Sequence, residues 1–138
     1  MKKITGTFLS LFLFIVFFSF SSKTIAQTLY FCEGVSDDGN PVNASSSFNI
    51  PSGGGYVYLL VRLGYEIGTY SAQYVIYDVD SYGNETYSTT IIQDQMQPSW
   101  TWFWKQVTFY HGGKYKVYVS DANNRFLTSG TVMINFNQ

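Results

Sequence analysis

The chain has 138 residues, 46% hydrophobic and 20% aromatic, with only 12% charged residues and a formal net charge of −1. That length suits one domain with one core, and a single cysteine cannot form a disulfide within the chain. The five bases beyond residue 26, Arg62, Lys105, Lys114, Lys116 and Arg125, form no dense block. This argues against nucleic acid and anionic lipid as partners, because both are held by clustered positive charge.

The chain opens with Lys2 and Lys3, continues through an apolar run from Phe8 to Phe20, and reaches Thr24, Ile25, Ala26 and Gln27. A basic start, an apolar segment and small residues before a cut define a secretory signal peptide. Cleavage is expected after Ala26, giving a signal peptide over 1–26 and one domain over 27–138. The apolar run is shorter than the roughly 20 residues that a spanning helix needs. The processed chain is therefore expected outside the cytoplasm, secreted, periplasmic or on the cell surface, with no stable membrane insertion. The short basic segment with Ala26-Gln27 at its cut is of bacterial type, so the acceptor-like triplets at Asn43 and Asn84 are expected unmodified. Loss of Lys2, Lys3 and Lys23 leaves an acidic domain.

Beyond residue 27 no segment has helical periodicity. Short runs rich in aromatic and β-branched residues alternate with turn clusters, the pattern of strands. Leu29 to Glu33 is the first, ended by Asp37-Asp38-Gly39-Asn40-Pro41. Cys32 lies in this apolar run and reads as a small buried hydrophobe. Its other reading is an intermolecular disulfide. Ser47 to Ile50 is a short second strand, ended by Pro51 and three glycines. Tyr56 to Leu63 puts Val57, Leu59, Val61 and Leu63 on one face and Tyr56, Tyr58 and Arg62 on the other. Only Leu60 breaks the alternation.

Gln73 to Asp80 and Glu85 to Gln93 form a hairpin across Ser81-Tyr82-Gly83-Asn84. The segment 95–99 crosses over to Trp100–Tyr110, a sixth strand or a bent pair. His111-Gly112-Gly113 turns the chain into Lys114–Ser120. Asp121-Ala122-Asn123-Asn124 turns it again into Arg125–Phe136, with Gly130 expected at a bulge. Seven or eight strands with regular turns predict an all-β domain, an antiparallel β-sandwich. An open barrel is the alternative.

The segment His111-Gly112-Gly113-Lys114-Tyr115-Lys116-Val117-Tyr118-Val119 resembles the start of the sixth strand of immunoglobulin-like domains. Val117 stands where antibody domains place a cysteine. The continuation through Asp121-Ala122-Asn123 to Thr131-Val132-Met133-Ile134 resembles the last hairpin of Ig-like repeats in bacterial surface adhesins and gliding-motility proteins. The same hairpin is loosely similar to C-terminal sorting domains of secreted bacterial proteins, which follow a cargo domain. The resemblance covers about a quarter of the domain. It implies an Ig-like sandwich and extracytoplasmic residence, and it implies no reaction.

No catalytic motif is present, and the chain is expected not to be an enzyme. His111, the only histidine, reads as an exposed turn residue. One His and one Cys are too few for a zinc site without carboxylates. Asp78–Glu85 resembles a calcium loop at its first, third and sixth positions, but Tyr82 sits where an oxygen ligand belongs. A hairpin turn explains it better. No cofactor and no metal are therefore expected.

Trp100, Trp102 and Trp104 are the residues of most functional interest. Period two puts all three on one face of a strand, with Phe103, Val107 and Phe109 on the other. If the latter fill the core, the tryptophans form an outward apolar strip fit for sugar rings or a protein partner. The opposing reading makes Trp102 a core residue. Tyr56, Tyr58 and Tyr118 fall on the outward faces of their strands, as further binding residues or as cross-strand pairs that stiffen a sheet. The function expected is a structural or protein-interaction module, with a glycan-binding module as the alternative.

Overall fold

The computed structural model describes residues 27–137. The expected signal peptide, 1–26, and Gln138 lie outside the described residues. Among those described there is no helix, and the chain is an antiparallel-dominated β-sandwich.

Its strands are β1 (Thr28–Cys32), β2 (Gly34–Val35), β3 (Pro41–Val42), β4 (Ser47–Ile50), β5 (Tyr56–Arg62), β6 (Ala72–Val79), β7 (Glu85–Gln93), β8 (Trp102–Thr108), β9 (Gly113–Asp121) and β10 (Phe126–Phe136). One sheet has three strands in the order β1-β5-β8, and the other has five in the order β4-β10-β9-β6-β7. The β4–β10 pair is parallel, and the other pairs of both sheets are antiparallel.

Alternation decides what each strand buries. In β5, Val57, Leu59 and Val61 face inward and are buried. Their cross-strand partners on β8 are Val107, Lys105 and Phe103. Across the core stand Tyr74 and Ile76 of β6, Tyr115, Val117 and Val119 of β9, and Val132 and Ile134 of β10. The largest buried rings meet edge-on, Tyr74 against Phe103 at 6.5 Å between centroids. Burial of Tyr74 pushes the pKa of its hydroxyl up. That hydroxyl donates to Gln93 Oε1 at 2.7 Å, so no lone polar group is buried there.

Three local features differ from the sequence expectation. First, β10 has its register shift between Phe126 and Thr128, and Gly130 pairs regularly with Val117. Gly130 faces inward, and a Cβ there would lie 2.9 Å from the Phe31 ring. The glycine makes room for Phe31 rather than bending the strand. Second, β8 begins at Trp102, so Trp100 belongs to the crossover. Its carbonyl accepts from Ile67 N at 2.8 Å, and Thr101 O accepts from Leu63 N at 2.9 Å. The loop after β5 thus holds this stretch.

Third, the expected turn at Asp37–Asn40 joins a short β2–β3 pair that the sequence did not mark. Its tip folds onto the outer face of the three-stranded sheet. Arg62 Nη1 donates to Gly39 O at 2.6 Å and to Asn40 Oδ1 at 2.7 Å. The Trp102 ring lies against Gly39, where a Cβ would sit 2.5 Å from two ring carbons. Gly39 also has φ +82°, a region where an L side chain is strained. Under this strap Leu60 is fully buried, although it points away from the sandwich core. Cys32 is buried there too, its thiol donating to Tyr58 O at 3.6 Å, and burial raises its pKa.

Candidate functional site

The structure divides the sequence-predicted binding residues between two faces of the sandwich. Tyr56 and Tyr58 of β5 and Trp102 and Trp104 of β8 lie on the outer face of the three-stranded sheet. Tyr118 lies on the outer face of the other sheet. There it meets Tyr77 edge-on at 5.5 Å, and Tyr77 meets Tyr87 at 6.0 Å. The Tyr118 hydroxyl donates to Glu85 at 2.8 Å, which raises its pKa. Lys116 Nζ stands 5.5 Å from the Tyr118 ring centre. These contacts cross three neighbouring strands, so Tyr118 joins a sheet-stiffening set.

On the first face the aromatics form a broken row. Trp104 is 41% exposed and packs on Tyr58, with centroids 5.1 Å apart and planes tilted by 58°. Tyr58 meets Tyr56 at 5.7 Å and 80°. Trp102 is half-buried beside Gly39. Trp100, 38% exposed, sits on the crossover. Phe103, between them, is 2% exposed and belongs to the core.

Beside this row the sandwich is open. β8 ends the three-stranded sheet and β7 ends the five-stranded sheet, each paired on one side only. A cleft of about 1190 Å³ runs along β8 and reaches the last two residues of β7, lined by Ile92–Gln95 and by Ser99–Gln106 with Thr108. Trp100, Trp102 and Trp104 all contribute to its walls, with Gln93, Asp94 and Lys105 among the polar groups. The opposite side of the sandwich is closed by β1 against β10, where Leu29 and Phe31 pack on Gly130.

Periodicity pointed to the tryptophans but not to the cleft, nor to Gln93, Asp94, Gln106 and Lys105. Those residues matter because of which strands end the sheets, and edge position leaves no period in a sequence.

The other residues singled out have local roles. His111 is exposed, and its carbonyl accepts the Tyr115 hydroxyl at 2.7 Å. The Asp80 carboxylate accepts the amides of Tyr82 and Asn84, each at 2.9 Å, which closes the β6–β7 turn and lowers its pKa. Asp121 accepts the amides of Asn123 at 2.9 Å and Arg125 at 3.0 Å, which closes the β9–β10 turn, and it also pairs with the Arg125 guanidinium at 3.1 Å. Among the described residues no group of three or more His, Cys, Asp or Glu side chains could hold a metal ion. No helix among them is long and apolar enough to cross a membrane. Compared with known proteins, the chain matches no family model and no curated protein.

Proposed function

We propose that this chain is an exported, non-catalytic, Ig-like module that binds a protein partner through the open side of its sandwich, between β7 and β8. The observation that carries the reading is the cleft along the bare edge of β8 and at the end of β7, with Trp100 and Trp104 half-exposed at its wall. Tryptophans at the rim of a concave site are the usual anchors of protein recognition.

Two features support the Ig-like part. The strand order β1-β5-β8 over β4-β10-β9-β6-β7 follows the sheet arrangement of such domains, less one strand beside β8. The Tyr115 hydroxyl bonds back to the His111 carbonyl four residues upstream, in the manner of a tyrosine corner. The basic and apolar segment before Ala26 and the adhesin-like terminal hairpin support placement outside the cytoplasm.

The glycan reading has one observation in its favour. Gln93, Asp94 and Gln106 share the cleft lining with Trp100, and sugars are held by such amides and carboxylates together with a ring. Against it, the Tyr56–Tyr58–Trp104 row is tilted by 58° and 80° and offers no flat platform to a chain of sugar rings.

Trp100→Ala and Trp104→Ala separate the module from a mere scaffold. Each is expected to move folding stability by about 1 kcal/mol or less, because both rings are partly in solvent. Each is expected to weaken capture of biotinylated cell-surface proteins by roughly tenfold or more, since one aromatic anchor carries about 2 kcal/mol. Parallel binding to a glycan array reads the second hypothesis. Capture unchanged in both variants would contradict the proposed site.

A further inference from the structure

The nature of the cleft wall points to how a partner enters. Trp102, Phe103, Trp104, Lys105 and Gln106 all line it. They are consecutive, so they alternate between the two faces of β8. A cavity that touches both faces in turn lies along the edge of the strand, where backbone N–H and C=O groups have no neighbour.

The other sheet shows that a strand's width of space is open there. β7 has no strand facing it across the sandwich, because the opposing sheet stops at β8. On β6 the inward residues Ala72, Tyr74 and Ile76 are buried. Their partners on β7, Gln93, Ile91 and Thr89, are only half-buried or exposed.

Lys105 gives the site its chemistry. It pairs with buried Leu59 and so points to the inner side, yet among the described residues no ion pair or hydrogen bond engages its ammonium. An inward charge on an edge strand guards against self-pairing. Antiparallel pairing of β8 with a second copy about its midpoint sets Lys105 opposite Lys105, and like charges there destabilise the joint. A strand with a carboxylate at that place has the opposite effect.

We propose that the cleft takes an extended segment of another polypeptide as an added strand on the free edge of β8, its apolar side chains on the core and an acidic one opposite Lys105. This rests on the reading of the cleft as the binding site. Main-chain bonds supply affinity in such strand addition, and alternate side chains supply selectivity.

The test is selection of ten-residue peptides from a display library on residues 27–138, in wild type, Lys105→Gln and Lys105→Glu forms, each checked for folding by its melt. Wild type is expected to enrich peptides with alternating apolar residues and one Asp or Glu at a fixed inward position. Lys105→Glu is expected to enrich Lys or Arg there and to bind the wild-type peptides about tenfold more weakly, which is about 1.4 kcal/mol. N-methylation of alternate amides along one edge of an enriched peptide should abolish binding, and along the other edge should not. Strand addition is overturned by no enrichment, by equal binding of both methylated sets, or by an unchanged charge preference in Lys105→Glu. It is also overturned if light scattering shows a dimer of the domain that blocks the cleft. Loss of surface-protein capture in the two tryptophan variants does not depend on any of these results. The binding-module reading therefore survives a failure of strand addition alone.

Discussion

Phe103→Ala is expected to cost about 4 kcal/mol of folding stability, the usual loss when a buried aromatic ring is truncated. Phe103 is 2% exposed, pairs across the sheet with Val61, and presents its ring to the edge of Tyr74 at 6.5 Å. Truncation leaves a hole between the two sheets that neither backbone can close, because each is held in register by its neighbours. Domains of this size are stable by about 5–15 kcal/mol in total, so the variant should melt at least about 15 °C lower. Trp104, the next residue, faces solvent and should move the melt by only a few degrees. Thermal denaturation of the two variants side by side checks the phase of β8. Equal losses at both positions would show that the strand does not alternate as described.

Tyr115→Ala is expected to cost a similar amount, roughly 3–5 kcal/mol. The ring is 5% exposed and lies 4.8 Å from Phe109, and its hydroxyl ties the start of β9 to the turn before it. Burial raises the pKa of that hydroxyl, and the Asp78 carboxylate adds to the rise. Tyr115→Phe separates the two contributions. It keeps the ring and loses one hydrogen bond, at a cost of about 1 kcal/mol. The released His111 carbonyl sits in an exposed turn and can turn to water, which keeps the cost low. Urea denaturation of both variants reads the difference. A Tyr115→Phe loss as large as that of Tyr115→Ala would mean that the hydroxyl bond, not the ring, holds the corner.

Residues that obey a period announced themselves in the sequence. β5 and β9 read directly, because Val57, Leu59 and Val61, and then Tyr115, Val117 and Val119, repeat every second residue. The turns at Asp80 and Asp121 were equally plain, since their carboxylates cap amides two and four residues ahead. The bulge in β10, expected at Gly130, falls instead at Leu127, between Phe126 and Thr128. Leu127 is buried at an odd position and Thr128, Val132 and Ile134 at even ones, so the strand slips once at Leu127.

What did not show had no local signal. Trp100 continues the alternation of Trp102 and Trp104, yet the loop after β5 takes its carbonyl and draws it out of the strand. The strap over Leu60 depends on Arg62, Trp102 and Gly39 meeting from distant parts of the chain. Strand order decides that β7 and β8 are edges, and with that where the cleft lies.

Backbone hydrogen exchange across β8, measured with and without a selected peptide bound, reads strand addition at the edge where it would occur. Slowing by about tenfold or more is expected at alternate amides within Trp102–Gln106, those whose N–H groups point to the free edge, with Tyr56, Tyr58 and Tyr118 unchanged. Protection confined to Tyr56, Tyr58 or Tyr118, with β8 exchanging as before, would contradict it and move the binding site to a sheet face.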